Sequence, residues 1–247
     1  MHRNVAFGLL VVSLLVVSLM AQDVRAAEPE PGFFSLFNGS DLSGWEGDKR
    51  FWRVEDGVIV GQTTEDNQAE HNTFLIRRGD EYSDFELRFS YQVTGFNSGI
   101  QYRSSEQDDF VVRGYQADFE ARWHEDGTLD KFSGMFFEEN GRMFMGGRGE
   151  AVIVRTAPAG KKKPVIEKVG SLGDPAELEQ VIRRDGWNDY VIIAQGFQFT
   201  HIINGRVMAI ALDEDEKNRK ASGIFAFQLH SGPPMQIKVK NLRVRKL

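Results

Sequence analysis

Between positions 84 and 94 the chain alternates without a break. Phe85, Leu87, Phe89, Tyr91 and Val93 are apolar or aromatic, and Glu86, Arg88, Ser90 and Gln92 between them are polar. Successive side chains of an extended strand point to opposite faces. The run therefore builds a strand with one side in a core and the other toward solvent or a ligand. A helix cannot use it, because a 3.6-residue period would spread the apolar positions around the whole cylinder. The same alternation returns at 98–103, where Ile100 and Tyr102 oppose Gln101 and Arg103, and at 115–119. Further strands are expected at 189–195, 197–203, 206–212, 223–230 and 236–245. Asn204-Gly205 and Asp56-Gly57, each between apolar runs, read as two-residue hairpin turns.

One helix is expected, at 174–184. Asp174 suits the N-cap, Pro175 the first helical position and Glu177 a capping box; Leu178, Val181 and Ile182 share a face, and Gly186 can end it. The preceding 157–173 reads as a long loop, and glycine-rich 141–149 as a mobile loop over one edge. With 25 glycines against 7 prolines, the chain favours strand-to-strand turns over disorder. The expectation is an all-β fold: an antiparallel β-sandwich of two packed sheets, a jelly roll, with one short connecting helix.

The N-terminus reads as an export signal. His2 and Arg3 precede an apolar stretch over 5–20, and Val24-Arg-Ala26 offers the small residues of a cleavage site. The stretch is short for a bilayer crossing, which takes about 20 residues. We expect a signal peptide at 1–26, a flexible lead-in at 27–32 broken by Pro29 and Pro31, and a single domain over 33–247, exported to the periplasm or the extracellular space. The chain has no cysteine, which excludes disulfides and a cysteine-linked lipid anchor. Loss of Arg3, Asp23 and Arg25 would move the net charge from -6 to -7. An acidic surface without a basic stripe argues against nucleic acid and anionic membrane as partners. Oligomeric state is left open.

Several side chains sit where a core does not need them. Gln116 and Asp118, two apart on a strand, share one face, and Glu120 continues the row; this is a solvated face or the lining of a groove. Asn97, before Ser98-Gly99, is a turn residue or a lining residue at a sheet end. Arg103 is a surface residue or a hydrogen-bonding fork. Glu138 and Glu139 point to opposite faces, so one of them reaches a groove shared with Asp118, and Glu138 is taken as that one. His230 ends a strand, shares a face with Gln228 and precedes a sharp Ser-Gly-Pro-Pro turn. His201 reads as hairpin surface, and His71 and His124 as loop residues. Trp45 and Trp52 are expected to pack the sandwich, whereas Trp123, in a polar loop, is the candidate aromatic platform for a ligand. No cofactor is required. A divalent cation between Asp118, Glu138 and His230 is left open, since no spacing demands it.

Several segments in order carry a family likeness. They are Leu36-Phe-Asn-Gly-Ser-Asp-Leu-Ser-Gly-Trp45, Trp52-Arg-Val-Glu-Asp-Gly57, Asp84-Phe-Glu-Leu-Arg88, Asn97-Ser-Gly-Ile100, Gly114-Tyr-Gln-Ala-Asp118, Trp187-Asn-Asp-Tyr190, Thr200-His-Ile-Ile-Asn-Gly-Arg206, Gly223-Ile-Phe-Ala-Phe-Gln-Leu-His230 and Lys240-Asn-Leu-Arg-Val244. Together they resemble the secreted bacterial 3-keto-disaccharide hydrolase family. The resemblance implies a concanavalin A-like lectin or glucanase-type sandwich, a carbohydrate substrate and a site at Gln116 and Asp118. It implies a hydrolase or lyase that cleaves 3-keto-glycosides after removal of the C2 proton. On that reading Asp118 or His230 is the base and Glu138 the acid. Arg103 and Gln116 are binding or oxyanion groups, and Asn97, Trp123 and Gln228 contact the sugar. The alternatives are a non-catalytic carbohydrate-binding module of the envelope, an envelope protein without a sugar site, and a glycosidase using two carboxylates.

Overall fold

A computed structural model describes residues 30–247; the expected signal and the start of the lead-in lie outside the described residues. In the described part of the lead-in, Glu30 is tied down by Arg88 at 2.6 Å and Arg243 at 3.0 Å.

Among the described residues the chain forms seventeen strands and one short helix. The strands are β1 (Phe34–Ser35), β2 (Trp45–Glu46), β3 (Trp52–Glu55), β4 (Val58–Gln62), β5 (Thr73–Arg77), β6 (Phe85–Thr94), β7 (Asn97–Glu106), β8 (Val112–Glu120) and β9 (Phe136–Glu139). They continue as β10 (Met143–Gly146), β11 (Glu150–Arg155), β12 (Val165–Ser171), β13 (Asn188–Gln195), β14 (Gln198–Ile203), β15 (Arg206–Asp213), β16 (Ile224–Leu229) and β17 (Gln236–Lys246). Helix α1 spans Pro175–Glu179.

Two sheets form the sandwich. One runs β12-β11-β15-β14-β13-β6-β17-β4-β3, with β1 added alongside β17; the other runs β10-β9-β8-β7-β16-β5-β2. All pairings are antiparallel except β11 with β15. The strand that alternates most strictly lies deep in the larger sheet. Phe85, Leu87, Phe89, Tyr91 and Val93 point into the space between the sheets, where they meet Tyr102, Phe119, Phe225 and Phe227. Trp45 and Trp52 are also buried there. Both anticipated hairpins form. Asp56-Gly57 joins β3 to β4 and Asn204-Gly205 joins β14 to β15, each with both central residues at positive φ, the twist that matches right-handed strands.

Three local expectations are corrected. The helix is shorter than 174–184. Asp174 does cap it, accepting from the Ala176 N–H at 2.8 Å, but the Arg183 N–H is taken by Asn188 Oδ1, and the helix stops at Glu179. The loop at 157–173 contains β12, an exposed edge strand paired to β11 whose solvated faces leave no alternation to read. The segment 141–149 contains β10, and its Arg148 is buried against Glu179.

Candidate functional site

Neighbouring strands in a sheet set directly opposed residues on the same face, so register decides which side chains meet. In β7, β8 and β9 the opposed pairs are Gln101 with Gln116, Gly99 with Asp118, Gln116 with Phe137 and Gly114 with Glu139. These residues lie on the face of the smaller sheet turned away from the larger one. Tyr102, Tyr115 and Phe136 take the other face and fill the core. The outward face lines a groove of about 240 Å³ bounded by Phe96, Asn97, Gln116, Asp118, Arg122, Phe132, Phe137, Glu139, Met143, Phe144, Gln228 and His230.

At its floor Asp118 is only 2% exposed. Gln116 Nε2 donates to Asp118 Oδ1 at 2.5 Å, and the Gln116 amide in turn contacts that of Gln101. Gly99 makes this possible, because a Cβ there would stand 2.6 Å from Gln116 Cγ. Burial pushes the Asp118 carboxyl well above its ordinary range; the Gln116 hydrogen bond opposes this, and the nearby Glu120 and Glu139 add to it. Glu120 is raised as well, first by burial, although the Phe132 N–H and Arg122 bond it.

Glu139 is held by two amides, Asn72 Nδ2 at 3.0 Å and Gln228 Nε2 at 3.2 Å. Asn72 also accepts from the Ser231 N–H, linking this carboxylate to the turn that carries His230. The His230 ring meets Phe96 edge-on at 4.9 Å, and its Nδ1 lies 2.5 Å from the Ser231 carbonyl. Two buried oxygens, Asn97 Oδ1 and Gln228 Oε1, have no hydrogen-bond partner. Both are acceptors, and a buried orphan acceptor costs roughly 1–3 kcal/mol. A ligand bearing hydroxyl groups would relieve that cost. Arg122 is the guanidinium of the groove. Its charged end lies over Phe96 at 5.0 Å and Phe132 at 4.8 Å, and it pairs with Glu120 and Asp130.

The structure thus brings Asn97, Gln116, Asp118, Gln228 and His230 to one groove. Glu138, Arg103 and Trp123 lie elsewhere. Glu138 opposes Tyr115 in the register and therefore faces inward, where it pairs with Arg142; Arg142 also binds Asp213 at 2.7 Å and Asp215 at 3.2 Å. The carboxylate that reaches the groove is Glu139. Arg103 sits at a bulge with φ 45°, which breaks the alternation from Tyr102 and turns its side chain inward. There it donates to the carbonyls of Ser83, Gly196 and Lys220 and pairs with Asp84 at 2.8 Å. Trp123 packs against the core with Arg184 over its ring. The aromatic walls are Phe96, Phe132, Phe137 and Phe144 instead. His201, expected on a hairpin surface, is buried between the sheets. Its Nδ1 faces the Met135 carbonyl at 3.1 Å and so carries the proton, leaving Nε2 to accept from the Tyr102 hydroxyl at 2.9 Å.

Sequence reasoning chose Glu138 over Glu139 and missed Arg122, Asn72 and the phenylalanine walls. The parity of β9 against the Tyr-Gln-Ala-Asp strand would have chosen Glu139 over Glu138, had the register been readable. Among the described residues no three His, Asp or Glu side chains converge as a metal site would require, and with Glu138 turned inward the trio Asp118, Glu138 and His230 does not assemble. No described helix is long and apolar enough to cross a membrane.

The sequence pattern of the 3-keto-alpha-glucoside-1,2-lyase-like domain matches residues 32–245. No curated protein matches the chain by sequence. A candidate glycosyl hydrolase from Parabacteroides distasonis ATCC 8503 is similar in structure, with a TM-score of 0.56 at 17% identity over 87% of this chain and 99% of that one. A Bacillus subtilis protein of unknown function with a galectin-like fold gives 0.55 at 11% identity, covering 87% and 94%. The carbohydrate-binding module CBM66 from Bacillus subtilis gives 0.50 at 16% identity, covering 82% and 96%. At these identities the likeness is one of fold.

Proposed function

The chain belongs to the 3-keto-alpha-glucoside-1,2-lyase-like family, and from that premise we propose that it cleaves the glycosidic bond of 3-keto-glycosides by elimination. A ketone at C3 acidifies the proton on C2. A base takes that proton, and the resulting enolate expels the C1 oxygen, which leaves with a proton from an acid. Water then adds across the C1–C2 double bond, placing hydroxyl at C1 and hydrogen at C2. This chemistry needs a base at C2, an acid at the leaving oxygen and positive charge or hydrogen-bond donors near the enolate oxygen.

The observation that carries the reading is the Asp118 carboxyl, buried on the groove floor beside two orphan acceptors and raised above its ordinary range. A raised carboxyl is a better base once ionised and a usable acid while protonated. Asp118 and His230 are the base candidates. Glu139 replaces Glu138 as the second carboxylate, and Arg122 replaces Arg103 as the cation for the enolate oxygen. Asn97 Oδ1 and Gln228 Oε1 can accept from sugar hydroxyls, and Gln116 holds Asp118 in place.

Reaction in heavy water tests this reading. Cleavage of a 3-keto-glycoside should place deuterium at C2 of the product, and the unoxidised parent should stay almost untouched. Efficient cleavage of the parent without label at C2 would overturn the proposal in favour of ordinary glycosidase chemistry. Binding of both compounds with cleavage of neither would overturn it in favour of a binding module.

A further inference from the structure

The order of strands beneath the groove gives it two unlike ends. Asp118 and Gln116 stand in the middle, on β8. Toward β7 and β16 lie Asn97 and Gln228 with their unpaired acceptor oxygens. Glu139 turns the same way: its strand partner Gly114 has no side chain to block it, and its carboxylate reaches Asn72 and Gln228. In the other direction, about 10 Å or two strand spacings from β8, stands β10, which offers Met143 and Phe144. Phe144 packs on Phe137 at 5.1 Å and on Phe132 at 5.8 Å, making a continuous apolar wall at this end.

This wall is exposed in a way a core would not be. Phe144 is 51% and Met143 46% accessible, and Phe144 is the most exposed aromatic side chain among the described residues. The backbone holds them out. Arg142 is drawn inward by Glu138, Asp213 and Asp215, and the next residue, Met143, adopts φ 69°, a left-handed conformation that a non-glycine residue takes at a cost. An outward apolar pair at one end of the groove that holds Asp118 is a surface for a ligand to cover.

We propose that the Phe132, Phe137, Met143 and Phe144 wall is the leaving-group subsite, and that it selects apolar ring-shaped leaving groups over hydroxyl-covered sugars; this rests on the elimination reading above. The oxidised sugar keeps several hydroxyls and belongs at the end with orphan acceptors. Its C1 substituent then points toward β10. A second sugar placed there could lay a C–H face on the rings but would find no partners in the wall for its remaining hydroxyls, whereas an apolar ring buries only carbon.

The test compares two substrates with the same 3-keto-glucosyl group, one carrying cyclohexanol and the other a second glucose. Sugar hydroxyls are more acidic than cyclohexanol, so the two substrates are compared as a ratio between wild type and variant, in which leaving-group acidity cancels. The wild type should bind the cyclohexyl compound more tightly, read as the lower KM. Phe144→Ser should lower kcat/KM for it about tenfold more than for the disaccharide, mainly through KM, as expected for loss of one aromatic contact. Phe144→Leu should restore most of the difference, and melting curves check that each variant folds. Equal losses on both substrates would overturn the proposal. If neither compound is cleaved, the elimination reading has failed, and calorimetric binding of the same two compounds decides this one. Tighter cyclohexyl binding weakened by Phe144→Ser supports it, and indifference to the variant refutes it.

Discussion

Replacing Asp118 with Asn should remove activity and add stability, and the stability gain should depend on pH in a calculable way. The side chain keeps its size, and its oxygen can still accept from Gln116 Nε2, as Asp118 Oδ1 does at 2.5 Å. What changes is the charge. In the native protein burial holds the Asp118 carboxyl protonated above its ordinary 3.8, with Glu120 and Glu139 reinforcing the effect. Below that ordinary value both native and unfolded chains are protonated and the residue contributes nothing. As pH rises past it, the unfolded chain ionises while the native one does not, so the native state binds more protons and loses stability. The loss grows by about 1.4 kcal/mol per pH unit and levels off once pH passes the native pKa. Asn cannot ionise and escapes the loss. The difference in stability, Asp118→Asn minus wild type, should therefore rise with that slope from about pH 4 and then plateau. The plateau height measures the native shift directly. For a domain of this size each kcal/mol appears as roughly 2–4 °C in Tm. Melting curves of both proteins from pH 4 to 9 supply the difference, which cancels the titrating groups not coupled to Asp118. Activity on a 3-keto-glycoside should meanwhile fall about 10²–10⁴-fold, as for loss of a general acid or base. A pH-independent difference, or a variant less stable than wild type at pH 8, would refute the argument that this carboxyl is held protonated by its burial.

The two adjacent glutamates should separate cleanly. Glu138→Gln should cost about 1–3 kcal/mol by weakening the buried Arg142 cluster, whereas Glu139→Gln should reduce turnover with little change in Tm; denaturant unfolding and initial rates on the two variants check this. Arg103→Lys cannot reproduce the fork that bonds Ser83, Gly196, Lys220 and Asp84, and should lower stability by about 2–4 kcal/mol while the folded fraction keeps its KM. His201 is held down to about 4 by burial against an ordinary 6.5, so the native state resists protonation and stability should fall as pH drops from 6.5 to 4, by about 3 kcal/mol in all. His201→Gln should flatten Tm over that window, and an unchanged slope would count against the buried neutral ring.

The period-two alternation at 85–93 and the Asn204-Gly205 turn made the sandwich legible in the sequence, because strand faces and tight turns are set by a few neighbouring residues. Gln116 and Asp118 were legible for the same reason: two positions apart, they had to share a face. Longer-range decisions belonged to tertiary structure. Whether Glu138 or Glu139 reaches the groove depends on β9 setting Gly114 against Glu139, a one-residue register that nothing local specifies. Arg103 left its expected face because a bulge with φ 45° interrupts β7. His201 became core because Tyr102 and the Met135 carbonyl, both far away in sequence, satisfy its ring. Arg122 and the Phe132–Phe144 wall emerged only when β9 and β10 paired beside β8 and the connection between β8 and β9 packed against them. Sequence alone determined the regularly alternating strands and the family pattern; tertiary structure decided the edge strands, the faces of Arg103, Glu138 and Glu139, and which faces meet, because register and side-chain partnership are settled between segments distant in the chain.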